Sequence, residues 1–320
     1  MDTNPRSLPS GEFFGANRGG LRLSWSALAA VLLFLPRAAL AGESTFERTL
    51  PVNGLVSLVI STTSGYIHIS QSSEHQVHVV GHLRASNTWF TNSSGDVARV
   101  VAEPPVNQAG NIIRIGSRID DAIMRHISID YDVTTPRNTI LNAQSGSGDI
   151  QLTNLSGSVN AKTASGDIRA QELGSDSKLV TGSGTVEANG LGGGSILQTG
   201  SGGIRASFSA PGIVIAETGS GSVRLKNVQG GLVVETGSGD LEIAGAPTSP
   251  WKLETGFGGI IIKVGNGHFT FDAHTGSGTV TSDLPITIRT PIDKHHISGT
   301  LNGGGVTIKA QSGSGDIRIE

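Results

Sequence analysis

From residue 145 onward the chain alternates apolar and polar positions in short bursts, and each burst follows a Gly-rich phrase. Ser145-Gly146-Ser147-Gly148-Asp149-Ile150 is followed by Thr163-Ala164-Ser165-Gly166-Asp167-Ile168, then by Thr181-Gly182-Ser183-Gly184-Thr185-Val186 and Thr199-Gly200-Ser201-Gly202-Gly203-Ile204. Further copies begin at Thr218, Thr236, Thr255, Thr275 and Ser312, so successive starts lie 18, 18, 18, 19, 18, 19, 20 and 37 residues apart. The last interval reads as two periods, with Asn302-Gly303-Gly304-Gly305 inside it as a degenerate copy. A fixed period of this length marks a solenoid whose coils pack only on their neighbours. Within a period the alternation is strand-like: Val186-Glu187-Ala188 is one strand and Ser195-Ile196-Leu197-Gln198 another. They are joined by Asn189-Gly190-Leu191-Gly192-Gly193-Gly194, a turn rich in residues that accept positive φ. Two or three short strands per coil, stacked about 4.8 Å apart through parallel hydrogen bonds, predict an all-β parallel β-solenoid across residues 145–320.

The phrase also predicts which side chains point where. The aliphatic residue after each corner faces inward: Ile150, Ile168, Val186, Ile204, Val223, Leu241, Ile260, Val280 and Ile317. The next residue faces outward, which gathers Arg169, Glu187, Arg205, Arg224, Glu242 and Arg318 into a candidate interaction face. Arg169, Glu187 and Arg205 alternate in sign, as neighbours in exposed ion pairs would.

Residues 42–144 are less regular and read as an N-terminal β cap with the first coils, continuous with the repeats. Ser61-Thr62-Thr63-Ser64-Gly65-Tyr66-Ile67 is an early copy of the phrase, and 77–83 and 127–133 read as longer strands. The stretch between these, with Trp89, Pro104 and Pro105, reads as an irregular insert or hairpin. Such a cap covers a sheet edge that would otherwise recruit other chains. Ahead of it, residues 1–41 have the form of a secretory signal peptide. Arg18 and Arg22 precede the apolar run 25–35, Pro36 breaks it, and Ala39-Leu40-Ala41 offers a small-residue cleavage site. The run is shorter than the ~20 residues a membrane-spanning helix needs, so the cleaved chain is not expected to span a membrane. The alternative is an uncleaved signal-anchor.

Composition then narrows the function. Gly supplies 46 of 320 residues, too many for a helical protein, while the aliphatic alternation excludes disorder. With no Cys, an exported fold must rely on packing and backbone hydrogen bonds alone. A net charge of −3 gives no basic field for nucleic acid.

The phrase Thr-Gly-Ser-Gly-Asp-Ile, the segment Ile129-Asp130-Tyr131-Asp132-Val133-Thr134-Thr135-Pro136 and the ending 298–305 with 312–317 resemble a bacterial adhesin-like repeat family of unknown function. That family is related to the GIN-type head domains of autotransporter adhesins. The resemblance covers residues 45–320 and implies a right-handed parallel β-helix-like fold in the cell envelope. It supplies no catalytic residues.

Candidate chemistry in the repeats resolves into structure. Asp149, Asp167, Asp240 and Asp316 follow the corner glycines, but Gly203 and Gly259 occupy the same position in other copies and break any calcium ladder. Turn aspartates bonding their own backbone are expected instead. His75, His78 and His82 have metal-like spacing, yet no Cys or neighbouring carboxylate completes the set, and His75 points away from the other two. His295-His296 is placed on opposite faces of a strand. No Walker lysine and no nucleophile elbow is present. A glycan-cleaving pair such as Asp149 and Asp167 lacks loops to wall a cleft. The expectation is therefore no catalytic residues, no cofactor and no metal, in an exported structural or interaction module. Its partner would be an envelope protein or surface glycan; the alternatives are a periplasmic partner in envelope-stress signalling and a polysaccharide lyase or hydrolase. Trp251 and Phe257 are the aromatic candidates for a glycan face, each with packing as its plainer role. A coil strand stopping at Glu320 suggests an open edge for end-to-end self-association.

Overall fold

The computed structural model describes residues 43–85, 93–116, 127–289 and 293–320. The leader expected over 1–41 and the position of Trp89 lie outside them. Each coil contributes one strand to each of two sheets, which among the described residues have 13 and 14 strands and whose inner faces share one apolar core. In one coil, Val186–Leu191 lies in the first sheet and Ser195–Thr199 in the second. In-register parallel pairing stacks Ile150, Ile168, Val186, Ile204, Val223, Leu241 and Ile260 as expected. All seven are fully or almost fully buried.

The corners explain the repeated phrase. Its leading hydroxyl residue faces inward, and Thr62, Ser145, Thr163, Thr181, Thr199, Thr218, Thr236, Thr255, Ser312 and Thr275 form one column in that spatial order. Each hydroxyl donates to a backbone carbonyl of the preceding rung, as Thr181 Oγ1 does to Gly166 O at 2.8 Å and Thr199 Oγ1 to Gly184 O at 2.7 Å. In the later corners Gly239, Gly258 and Gly315 donate to Phe257, Ser314 and Ser277 of the next rung, but in the corners led by Thr62, Ser145, Thr163, Thr181 and Thr199 the hydroxyl also accepts the N–H of its own second glycine, as Thr181 does from Gly184 at 3.1 Å. The buried hydroxyl is thereby satisfied on both sides. The second glycine is required by close approach: a Cβ on Gly184 would lie 2.0 Å from Gly166 O, and one on Gly202 would lie 1.9 Å from Gly184 O.

The order of the rungs departs from the order of the chain at both ends. Ile317–Ile319 is not the outermost strand; it sits between Ile260–Val264 and Val280–Ser282. Likewise Val306–Ser314 separates Trp251–Phe257 from Phe269–Ser277 in the second sheet. The segment 302–305 is therefore a crossover between the two flanks of Phe269–Ser277, not a degenerate corner, with Asn302, Gly303 and Gly304 all at positive φ. Glu320 consequently leaves no open edge. Among the described residues that end of the first sheet is the three-residue strand Val280–Ser282, too short to be a good template for a second copy. At the other end, Ile67–Ser72 lies between Ile127–Pro136 and Ile150–Leu155, and Val56–Thr62 lies between Ile112–Ile115 and Thr139–Ser145.

The early copy of the phrase and the two long strands form as expected, with Gln76–Ala85 and Glu43–Pro51 added antiparallel as the cap. The insert between the long strands differs from expectation. It contains a ten-residue helix, Ser93–Ala102, before the hairpin Val106–Ala109/Ile112–Ile115. The helix buries Val100 and packs Val97 and Val101 against the core, so it covers apolar surface that no further coil would cover.

Candidate functional site

The six charged residues read from the repeat all fall in one outward column of the first sheet, in the order Arg169, Glu187, Arg205, Arg224, Glu242, Ile261, Arg318. Their pairing is not the simple alternation expected. Arg169 turns from Glu187 to Asp149 at 3.0 Å and Asp167 at 2.7 Å. The hydrogen bond it donates to Asp149, with Asp167 close by, holds its guanidinium above the ordinary value. Glu242 accepts from Arg224 at 2.6 Å and Lys263 at 3.0 Å, and these bonds hold its carboxyl below the ordinary range. Arg318 is held by Asp283 at 2.7 Å and Glu320 at 3.0 Å. Among the charged residues of this column Arg205 and Glu187 have no partner at ion-pair distance among the described residues. Exposed pairs of this kind contribute about 0–1 kcal/mol each, so they fix side-chain positions more than they stabilise the stack.

The corner aspartates do not bond their own backbone. Asp149 Oδ1 accepts the N–H of Asp167 at 2.9 Å, Asp167 that of Thr185 at 2.8 Å, Asp240 that of Gly259 at 2.8 Å and Asp316 that of Thr279 at 2.8 Å. Each carboxylate ties one rung to the next. The reason is the parallel register, which places the following rung's amide nearer than any amide of the same corner.

Of the three spaced histidines, His78 and His82 share the outer face of Gln76–Ala85, and His75 lies in the preceding turn. Carboxylates do reach them, contrary to expectation, because the cap strands bring in distant residues. Glu47 lies 3.4 Å from His78, and Asp132 lies 3.1 Å from His82 and 3.2 Å from His68. Asp132 also accepts from Tyr66, whose phenol is pushed up to about 12 by burial and by that carboxylate. Buried Asp130 pairs with Arg84 and accepts the Tyr66 N–H. Although His68 and His82 both reach Asp132, no group of three or more His, Cys, Asp or Glu among the described residues is arranged to hold a metal ion. At the opposite end His296 bonds Asp272 at 3.0 Å and packs edge-on against His274.

The second sheet carries a feature that the sequence reading passed over. Gln198, Glu217, Glu235, Glu254, Gln311 and His274 form one outward column on six successive rungs. They border a groove of about 810 Å³ whose floor includes Gly219, Gly237, Gly256 and Gly313. Gln198 donates to Glu217 at 2.7 Å, and Lys252 bridges Glu235 and Glu254 at 2.9 Å each. Those two hydrogen bonds hold the Lys252 ammonium above its ordinary value. The two aromatic candidates part company here. Trp251 is buried, and its indole N–H donates to Gly230 O at 2.9 Å. Phe257 follows Gly256 of the floor directly and is 69% exposed. A signal for this column was available: each of its members immediately precedes the hydroxyl residue of the phrase, as in Glu217-Thr218, Glu235-Thr236 and Glu254-Thr255.

Two sheets of short parallel strands, a hydroxyl ladder at one corner and like side chains in outward columns define a parallel β-solenoid repeat protein. The chain belongs to the Toastrack DUF4097 family, which it matches over residues 34–192 and again over 175–320. Among solved structures, it is similar to an adhesin-like protein from Bacteroides fragilis NCTC 9343, at 14% identity over 87% of this chain and 97% of that one, with a TM-score of 0.37. A second is a cell-adhesion-like protein from Clostridium sporogenes ATCC 15579, at 10% identity over 87% of this chain and 98% of that one, with a TM-score of 0.23. Neither superposes closely enough to add to what the strand register establishes. No curated protein gives a significant sequence match.

Proposed function

We propose that the protein is an exported, non-catalytic adhesion module of the cell envelope or surface, built to offer long outer faces to a polymer or protein partner. The observation that carries this reading is the economy of the coils. In the repeats, strands and tight corners account for nearly all of each period, so side chains stand on open faces and no long loops wall a cleft. Surfaces of that form suit many modest contacts better than one deep pocket. Glu235 and Glu254, neighbouring carboxylates on the groove of the second sheet, are both engaged by Lys252 and stay 46% and 36% exposed. A general acid needs a desolvated pocket to keep its proton, and these two carboxylates have none. The test uses the chain from Gly42 onward, incubated with intact bacterial cells and, separately, with isolated cell-wall polysaccharide. Saturable retention on cells with no release of oligosaccharides is expected. Release of new reducing ends that Glu235→Gln or Glu254→Gln abolishes would overturn the non-catalytic reading.

A further inference from the structure

We infer that the groove beside the Glu217–Glu235–Glu254 column binds a linear, uncharged, hydroxyl-rich polysaccharide that lies along the stack and rests a sugar ring on Phe257. This rests on the adhesion reading and gives it a site and a ligand class. The argument starts from periodicity. The groove crosses six successive rungs, roughly 24 Å at the usual spacing between strands, and presents a similar set of atoms at each step. A ladder of near-equivalent subsites matches a ligand that also repeats, and is poorly matched to a compact small molecule.

Hydrogen-bonding chemistry then selects the polymer. The floor has no free backbone to offer an added peptide strand. Gly219 N–H is donated to Gly200 O at 3.1 Å, and Gly219 O accepts from Ser238 N–H at 3.2 Å. The threonine hydroxyls along the groove are turned inward and donate to glycine carbonyls of the neighbouring rung. What remains facing the groove is rich in acceptors: the three carboxylates at its centre accept only, while donors are confined to Gln198, which is turned to Glu217, and to Gln311 and His274 at one end. The ligand must therefore bring the donors, and a polyol brings them at every residue. Charge narrows the choice further. Among the described residues the groove lining holds three glutamates and no lysine or arginine, and Lys252, which pairs with Glu235 and Glu254 from beside it, offsets only part of that charge, so nucleic acids and acidic polysaccharides are repelled.

Phe257 is the second, independent observation. Eight other corners carry a small residue at its position, as Ser238 and Ser314 do on the neighbouring rungs, and only here does a large apolar ring stand in water. The ring contributes little to the core, yet it stands directly after the floor of the groove. An aromatic face in such a place offers a platform for the C–H face of a sugar ring.

The experiment measures binding of the chain from Gly42 onward to laminarin, mannan, dextran and a ladder of cello-oligosaccharides, with alginate and heparin as anionic comparators. At least one neutral polymer should bind, with affinity rising with oligosaccharide length until the groove is spanned and then levelling. Phe257→Ala and Glu235→Ala should each weaken it on the order of tenfold. Lys226→Ala, exposed on the opposite sheet and outside the charged column, should leave it unchanged, and all three variants should keep the wild-type melting curve. Raising salt should have little effect, since no charge is neutralised. The inference is overturned if no neutral polymer binds, if both groove variants bind like wild type, or if only alginate or heparin binds and salt abolishes it. Retention on cells in the assay above would then still stand. Conversely, groove-dependent binding accompanied by cleavage would keep the site and remove only the non-catalytic reading.

Discussion

At the scale of single residues, two glycines in the same corner have different duties. The second glycine faces a carbonyl oxygen at covalent-like range, 2.0 Å from a Cβ at Gly184. The first has slightly more room, 2.6 Å at Gly237, and one copy of the phrase already carries Ala164 there. Gly184→Ala should therefore force two rungs apart and cost about 3 kcal/mol, whereas Gly237→Ala should cost about 1 kcal/mol or less. Urea unfolding of the two variants checks this, and equal losses would contradict the stacking role given to the second glycine. The hydroxyl ladder belongs to the same scale. A repeated Thr in a Gly-rich phrase looks like turn composition, and only the coordinates reveal that its oxygen joins one rung's carbonyl to its own corner's amide.

At the scale of elements, the carboxylate at each corner acts as a clasp between strands. Asp316 accepts both the N–H and the hydroxyl of Thr279, at 2.8 and 3.0 Å, and the backbone bond foremost holds its carboxyl below the usual range. A depressed folded-state value means that this clasp contributes fully above the ordinary carboxylate pKa, about 4, and is lost as pH falls through the lower value. Hydrogen-exchange protection at 279–282 should thus fall on acidification before that of interior strands, and Asp316→Asn should flatten the dependence. The strands themselves were legible, because alternation and corner spacing are local properties. The helix Ser93–Ala102 was not, since ten residues with Gly95 inside give a weak periodic signal and its stability comes from packing Val100 against the cap. The Glu217–Glu235–Glu254 column was written beside the phrase; the open floor next to it depends on how successive corners stack, which no single copy encodes.

At the scale of the whole molecule, the inward aliphatic column was predicted residue by residue, but its sequence of rungs was not. Copies of one phrase are nearly interchangeable as neighbours, so nothing local states that Ile317 should dock on Ile260 before Val280 does. The 37-residue interval looked like a skipped copy and is instead the detour that lets the later coil return. This arrangement has a measurable cost. A chain ending at Gly305 loses an interior rung, leaving Ile260–Val264 unpaired on one side and Val280–Ser282 without its sheet partner. It should melt well below the full chain and aggregate, and a synthetic peptide spanning Val306–Glu320 added in trans should restore both melting point and monomer. A truncated chain that stays monomeric with an unchanged melting curve would contradict the rung order.

The interleaved strand also sets a condition on biogenesis. Residues made after the 269–301 segment must enter beneath it, so a copy interrupted between Leu301 and Val306 carries a vacant slot lined by backbone donors and acceptors. Unfinished molecules are in this way chemically distinct from finished ones: they are sticky and open to proteases until the late segment slides home.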